Sequence, residues 1–187
     1  MRRLYISDTH FGHEAVIRFS SRPFETVEEM DQAMIHNWNR KVRKEDEIYI
    51  LGDFIYKSKQ PPEYYLDQLN GIKHLITGNH DGRWIKKIDL SQYFESVSQI
   101  KEITDQSLHL ILCHYPMAEW PRSHKGSYHL FGHIHNERES DSFRYYQNNS
   151  RMLNAGVDIN FYEPVQLNEL MANNHIFRTE EAGYENN

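Results

Sequence analysis

One cysteine stands in a chain of 187 residues. A lone thiol excludes an internal disulfide framework and fits a reducing compartment, so a cytoplasmic location is expected. No apolar run approaches the roughly 18 residues of a membrane helix, which excludes a helical spanning segment. Behind the basic Met1-Arg2-Arg3 only a few apolar residues precede Ser7-Asp8. That is too short for the apolar region of a signal peptide, so secretion is not expected. Positive charge is also scarce: 21 basic residues face 27 acidic ones, a formal net charge of -6. This opposes a protein that binds long nucleic acid by neutralising many phosphates. It leaves a small phosphate substrate open, because a bound metal inverts the local field. Internal repeats and low-complexity blocks are missing as well.

The length supports one domain with a full core, over residues 1–178. Residues 179–187 are polar and acidic with no apolar periodicity, and a disordered tail is expected there. Short apolar runs alternate with helical patterns. Arg3–Ile6, Glu47–Leu51, Lys73–Ile76, Leu108–Cys113 and Tyr128–Phe131 read as strands, Tyr93–Ile103 as strand-rich and Arg151–Leu153 as a further strand. Thr26–Arg43 reads as a helix, with Val27, Met30, Met34, Trp38 and Val42 on one face and Thr26 with Glu29 as a capping box. Pro61–Asn70 and Pro164–Met171 read as helices, the first stopped at Gly71. The pattern predicts an α/β fold with at least part of the sheet parallel.

What the sequence has in excess is histidine, 12 residues, and their position matters more than their number. Five predicted strands run into the same kind of ending: Ser7-Asp8-Thr9-His10, Gly52-Asp53, Gly78-Asn79-His80-Asp81, His114, and Gly132-His133-Ile134-His135. Ligand crevices in α/β sheets lie at the carboxyl ends of strands. The pattern therefore lines one edge with Asp8, His10, Asp53, Asn79, His114, His133 and His135. His133 and His135, two apart on an extended chain, face the same way. Two carboxylates, an amide oxygen and four imidazoles form a hard-to-borderline donor set. It suits manganese, iron, zinc, nickel or magnesium, manganese being favoured, and requires no thiolate. Seven donors exceed one tetrahedral site and suit two ions, with a carboxylate shared between them. Paired divalent ions about 3.5–4 Å apart are a general device for in-line displacement at phosphorus.

In these blocks the chain resembles the calcineurin-like metallophosphoesterase superfamily, whose pattern is D-x-H, G-D, G-N-H-[DE], H and G-H-x-H, here in order over residues 4–136. The runs "SDTHFGHEAVIRFSSRPF", "NWN", "LGDF", "GNHD", "CHYPM" and "NAGVD" are similar to a small single-domain bacterial and phage branch. The resemblance implies two stacked mixed β-sheets flanked by helices, a four-layer sandwich with a dinuclear site at the sheet edge. It implies that Asp8, His10 and His135 hold one ion and Asn79, His114 and His133 the other, with Asp53 bridging. It also implies that His80 is catalytic, oriented and polarised by Asp81. The reaction implied is attack on phosphorus by a metal-bridging hydroxide, with protonated His80 assisting the leaving group.

The chain reads Phe54-Ile55-Tyr56-Lys57 after Gly52-Asp53. The Asp-Arg-Gly run of protein serine/threonine phosphatases is absent, which argues against that activity. A phosphodiesterase on small or nucleotide-like esters is the favoured expectation. A phosphomonoesterase at the same site, and a non-catalytic partner-binding module, are the alternatives. His13, Phe54, Tyr56, Arg83 and Trp120 are candidate substrate contacts, the aromatic residues as pocket walls. Arg83, Lys86 and Lys87 form one basic cluster and Arg122, His124 and Lys125 another; a solvated charged face is the favoured reading of each, with phosphate contact as the alternative, and Asn154–Asp158 is read as structural support behind the site. Oligomeric state is left open.

Overall fold

The computed structural model describes residues 1–179. Strands β1 (Arg3–Ile6), β2 (Glu47–Ile50), β3 (Ile72–Ile76) and β4 (Phe94–Ser98) form a parallel sheet in that order. Strands β5 (Ile100–Asp105), β6 (Leu108–Cys113), β7 (Tyr128–Phe131) and β8 (Met152–Asn154) form a second sheet. There β5 and β6 pair antiparallel, and the remaining pairs are parallel. The helices are α1 (Glu14–Phe19), α2 (Val27–Lys41), α3 (Pro62–Leu66), α4 (Asp141–Tyr146) and α5 (Leu167–Thr179). No helix among the described residues is long and apolar enough to cross a membrane.

Side-chain alternation along the strands sets the layers. Leu4 and Ile6 of β1, Ile48 and Ile50 of β2 and Leu75 of β3 join one core with Met30, Met34 and Trp38 of α2. Their neighbours Tyr5, Tyr49, Leu51 and Ile76 turn the other way and meet Leu110, Leu112, Leu130 and Leu153 of the second sheet. Ile111, Phe131 and Met152 face outward beneath Phe143 and Tyr146 of α4 and Phe177 of α5. The order is therefore helix, sheet, sheet, helix: the parallel strands β1–β3, β7 and β8 are mostly buried on both faces, while β4 and β5 keep one face toward solvent. Register pairs Ile6 with Ile50 and Ile50 with Leu75, so these strands end level. Ser7 joins the two sheets at that edge: its N–H donates to the Ala155 carbonyl at 2.8 Å and its carbonyl accepts from Val157 N–H at 3.1 Å.

Element boundaries differ from the sequence expectation in informative ways. Thr26 Oγ1 caps α2 by accepting from Glu29 N–H, but the Glu29 carboxylate accepts from Glu25 N–H rather than from Thr26, so the box is shifted by one residue. Helix α3 stops at Leu66, four residues early. The Asn39 side chain satisfies the Gln68 carbonyl and Asn70 N–H there, where helical bonds would have continued. Helix α5 runs to Thr179, eight residues beyond the expected end, despite Asn173-Asn174-His175, which are poor helix formers. Asn174 is fully buried, and its side-chain amide donates to the Leu170 and Asn154 carbonyls, so tertiary bonds override propensity. Thr179 thus ends a helix rather than opening the tail; the rest of the expected tail, 180–187, lies outside the described residues.

Candidate metal centre

The exits of β1, β2 and β7 at this edge bend sharply. Asp8, His10, Asp53, His133 and His135 all adopt left-handed backbone, with φ of 56°, 51°, 52°, 73° and 50°. Asp and His tolerate this region better than most residues, but each instance still costs on the order of 1 kcal/mol or more. Five together at one edge mark a place where the surrounding structure holds the chain against its preference. The exits are bonded to one another: Asp8 N–H donates to the Gly52 carbonyl, His10 N–H to the Asp53 carbonyl and Gly132 N–H to the His114 carbonyl. Two glycines allow this approach. A Cβ at Gly132 would collide with Ser7 Oγ and Asp8 Oδ2, and one at Gly78 with Asp53 Oδ1.

Two groups of donors result. Ligand atoms of Asp8, His10 and His135 lie within 4.8 Å of one another, and so do those of Asp53, His114 and His133. Asn79 Oδ1 lies 3.0 Å from His114 Nε2 and joins the second group. The Asp53 carboxylate sits between the groups. Its Oδ1 accepts from His80 N–H at 2.8 Å. Its Oδ2 is 3.6 Å from His10 Nε2, 3.5 Å from His114 Nε2 and 3.8 Å from His80 Nε2. All seven residues proposed from the sequence are thus brought to one edge.

The donor set fits divalent cations. His10 is buried, yet neither ring nitrogen has a hydrogen-bond partner. Such orphaned nitrogens are costly unless something accepts their lone pairs. Burial first, then the charge of His135, pushes the His10 pKa well below the ordinary value, which leaves the neutral imidazole a metal needs. Burial also lowers His114, but the hydrogen bond to Asp53 and the Asp8 charge outweigh it and raise the pKa to about 9. Its Nδ1 is tied to the Leu51 carbonyl at 2.7 Å, which aims Nε2 at the site. His135 Nδ1 lies 2.8 Å from Asp158 Oδ2. Asp158 in turn pairs with Arg22, both side chains being 0% exposed. Arg22 donates to the Asp8 and Thr9 carbonyls as well, at 2.7 and 2.9 Å. Burial would raise Asp158, but the Arg22 charge and the His135 hydrogen bond outweigh it and hold the carboxyl below its usual range.

Three sequence expectations are corrected. Asp81 does not orient the His80 ring. Its fully buried carboxylate accepts from Gly78, Asp53 and Phe54 N–H groups and from Trp84 Nε1, and these four donors take up its capacity. Phe54 is 0% exposed and packs on Phe11, Trp38 and Trp84, so it offers no face to a substrate. Trp120 is buried against His129, with its Nε1 donating to Ser127. Aromatic side chains beside a site were free to pack inward, and these two do. His13 and Tyr56 face the cleft instead, with Tyr56 4.0 Å from His80 and 4.7 Å from His13, centroid to centroid. Arg83 opens on an adjoining cavity. The sequence reading missed Arg22 and left Asp158 as general support; a buried ion pair 136 residues apart has no local signature.

The family match follows this geometry. Residues 1–149 match the calcineurin-like phosphoesterase family, and the chain belongs to it. It is 34% identical over 173 residues to an uncharacterized protein of Methanocaldococcus jannaschii, covering 89% of this chain and 88% of that one. The gene 66 protein of Mycobacterium phage L5 is 35% identical over 81 residues, 42% of this chain and 39% of that protein. A solved Aquifex aeolicus protein of unknown function aligns with a TM-score of 0.70 and 29% identity, over 89% of this chain and 96% of that one.

Proposed function

We propose that the protein is a dinuclear metal-dependent phosphodiesterase acting on small or nucleotide-like esters. The observation that carries this reading is the Asp53 carboxylate, one oxygen of which lies within 3.5–3.8 Å of His10, His114 and His80 and so links the two donor groups. Asp8, His10 and His135 would hold one ion and Asn79, His114 and His133 the other, with the Asp53 carboxylate within reach of both groups. Ions bound there supply Lewis acidity, which lowers the pKa of water and neutralises charge on phosphoryl oxygens. Manganese leads the candidates for this donor set.

The chain's own groups do the rest. His80 is half-buried at the rim of the cleft, and its backbone N–H is anchored on Asp53. Its Nε2 holds a proton for the leaving oxygen, a contribution of about 10²–10⁴-fold. Tyr56 covers one face of that ring and limits its rotation. His13, also on the cleft wall, has its pKa pushed down to about 4 by burial and then by the Lys57 charge, so it meets substrate as a neutral ring. The diester preference rests on space. A cleft of about 590 Å³ meets two further cavities, of about 330 and 170 Å³, at Lys57. Both ester arms of a diester find room there; a monoester needs one. The single buried thiol, Cys113, fits a reducing compartment such as the cytoplasm.

The test is hydrolysis of bis(4-nitrophenyl) phosphate and of 4-nitrophenyl phosphate by metal-stripped protein, with manganese, nickel, zinc or magnesium restored. Metal-dependent diester turnover is expected. Turnover of the monoester alone would replace this reading with a phosphomonoesterase, and turnover of neither would leave a binding module.

A further inference from the structure

The 170 Å³ cavity beside His80 differs in charge from the other cavities described, each of which has a carboxylate in its lining. Lys57, Arg83 and Lys87 line it, together with His80 itself, and no carboxylate does. In a chain of net charge -6 this is a local reversal of sign. None of the three cations makes an ion pair among the described residues, so no carboxylate neutralises them. Lys57 rests over the Tyr56 ring at 5.1 Å, and its backbone takes the left-handed conformation, φ 51°. Like charges lining one concavity raise the positive potential within it, and an anion relieves their mutual repulsion.

The cavity is tied to the metal edge. Its far wall is the segment Asp81–Lys87, two 3₁₀ turns that carry Arg83 and Lys87. Asp81 clamps this segment to the strand exits through Gly78, Asp53 and Phe54 N–H, and Trp84, 4% exposed, locks onto the same carboxylate at 2.7 Å. The corrected role of Asp81 is therefore to fix the register of Arg83 and Lys87 relative to Asp53. His80, Tyr56 and Lys57 belong both to this cavity and to the main cleft, so the two are continuous. Its volume is several times a water molecule's share of liquid, about 30 Å³. Ser58 and Gln60 add neutral hydrogen-bonding groups.

We infer that this cavity binds a second phosphate group of the substrate, so that the preferred substrate is a nucleotide-like diester carrying an additional terminal phosphate. The inference rests on the phosphodiesterase reading for the word substrate; the anion site itself stands on the cavity. Arg83 grips the phosphate through its fork, and Lys57 and Lys87 act as point charges. The metal edge takes the scissile phosphate, and the spacing between the two selects the ester.

Two measurements test this separately. Inorganic phosphate is titrated into metal-free protein and followed by ³¹P line broadening, for the wild type and for the double variant Arg83→Gln, Lys87→Gln. Both positions are exposed, so the fold is retained. The double variant is expected to bind phosphate about tenfold or more weakly, since it loses two charge-assisted contacts. Absence of binding by the wild type, or equal binding by both, overturns the inference. Next, a dinucleotide with and without a 5′-terminal phosphate is hydrolysed by metal-loaded protein. The expected preference in kcat/KM for the phosphorylated form is about tenfold or more, falling toward unity in the double variant. Turnover of both dinucleotides with no preference sinks the subsite and spares the phosphodiesterase. Phosphate binding that depends on Arg83 and Lys87, with no dinucleotide turnover, does the reverse.

Discussion

Replacing Arg22 with Ala removes the most heavily used side chain behind the site. Its guanidinium makes two bonds to Asp158, at 2.8 and 3.2 Å, and one each to the Asp8 and Thr9 carbonyls, at 2.7 and 2.9 Å. At about 1.5–3 kcal/mol per bond to a charged group, the four would sum to roughly 6–12 kcal/mol. That sum is too large, because the pair also carries a desolvation cost that vanishes with it. Breaking one side of a buried ion pair costs about 3–5 kcal/mol, chiefly because the remaining charge stays buried and unpaired. Both side chains here are 0% exposed, so this range applies. Against a total stability of about 5–15 kcal/mol the variant folds with a reduced margin. Its Tm should fall by about 6–20 °C, at roughly 2–4 °C per kcal/mol for this size. Arg22→Lys should recover only part, since one ammonium cannot span four acceptors. His135, held by Asp158, should also lose orientation, and metal affinity about 10–100-fold with it. Urea titration and metal calorimetry on the same samples read both effects. A stability loss below about 1 kcal/mol with unchanged metal affinity would refute the reasoning.

Other consequences are simpler. His80→Ala should retain metal while losing about 10²–10⁴-fold in kcat; full turnover at saturating metal would remove His80 from the chemistry. Gly132→Ala forces a Cβ onto Ser7 and Asp8, and should abolish high-affinity metal binding in calorimetry while the far-UV circular dichroism persists. Phe54→Ala should cost about 3–5 kcal/mol in urea unfolding, and Phe54→Leu should leave KM unchanged, as a core residue and not a substrate wall. Burial would raise the Asp46 carboxyl, but hydrogen bonds from Arg2 and from the Arg43 N–H outweigh it and hold the pKa at about 2. A folded pKa below the ordinary 3.8 adds stability that is complete above about pH 4 and lost as pH falls through about 2. Asp46→Asn should flatten that acid limb in denaturant titrations between pH 5 and pH 2.

The site was more legible in the sequence than its support. Asp8, His10, Asp53, Asn79, His114, His133 and His135 stand one to four residues past apolar runs, so the strand pattern carries them to one edge, whereas the left-handed bends that aim five of them had no signature. The layers were legible for the same reason: Ile6, Ile50 and Leu75 alternate with Tyr5, Tyr49 and Ile76, and each set found its own core. What the sequence hid depends on three-dimensional choice. Asp81 had a histidine as its chain neighbour but spends its oxygens on three backbone N–H groups and an indole. Phe54 and Trp120 had site residues nearby in the chain, yet their rings gained more from burial. Helix α4 is short, and of its three aromatic residues only Phe143 and Tyr146, three apart, are buried. The Arg22–Asp158 pair joins a loop before α2 to a turn after β8, a contact no local pattern encodes.

Metal stoichiometry tests the central claim most directly. Metal-stripped protein is titrated with manganese by calorimetry, and bound metal is counted after dialysis, for the wild type and Asp53→Asn. The account predicts two ions per chain in the wild type. It predicts weaker binding of both in Asp53→Asn, because that carboxylate stands between His10 and His114. One ion or none in the wild type, or two ions undisturbed by Asp53→Asn, would contradict it.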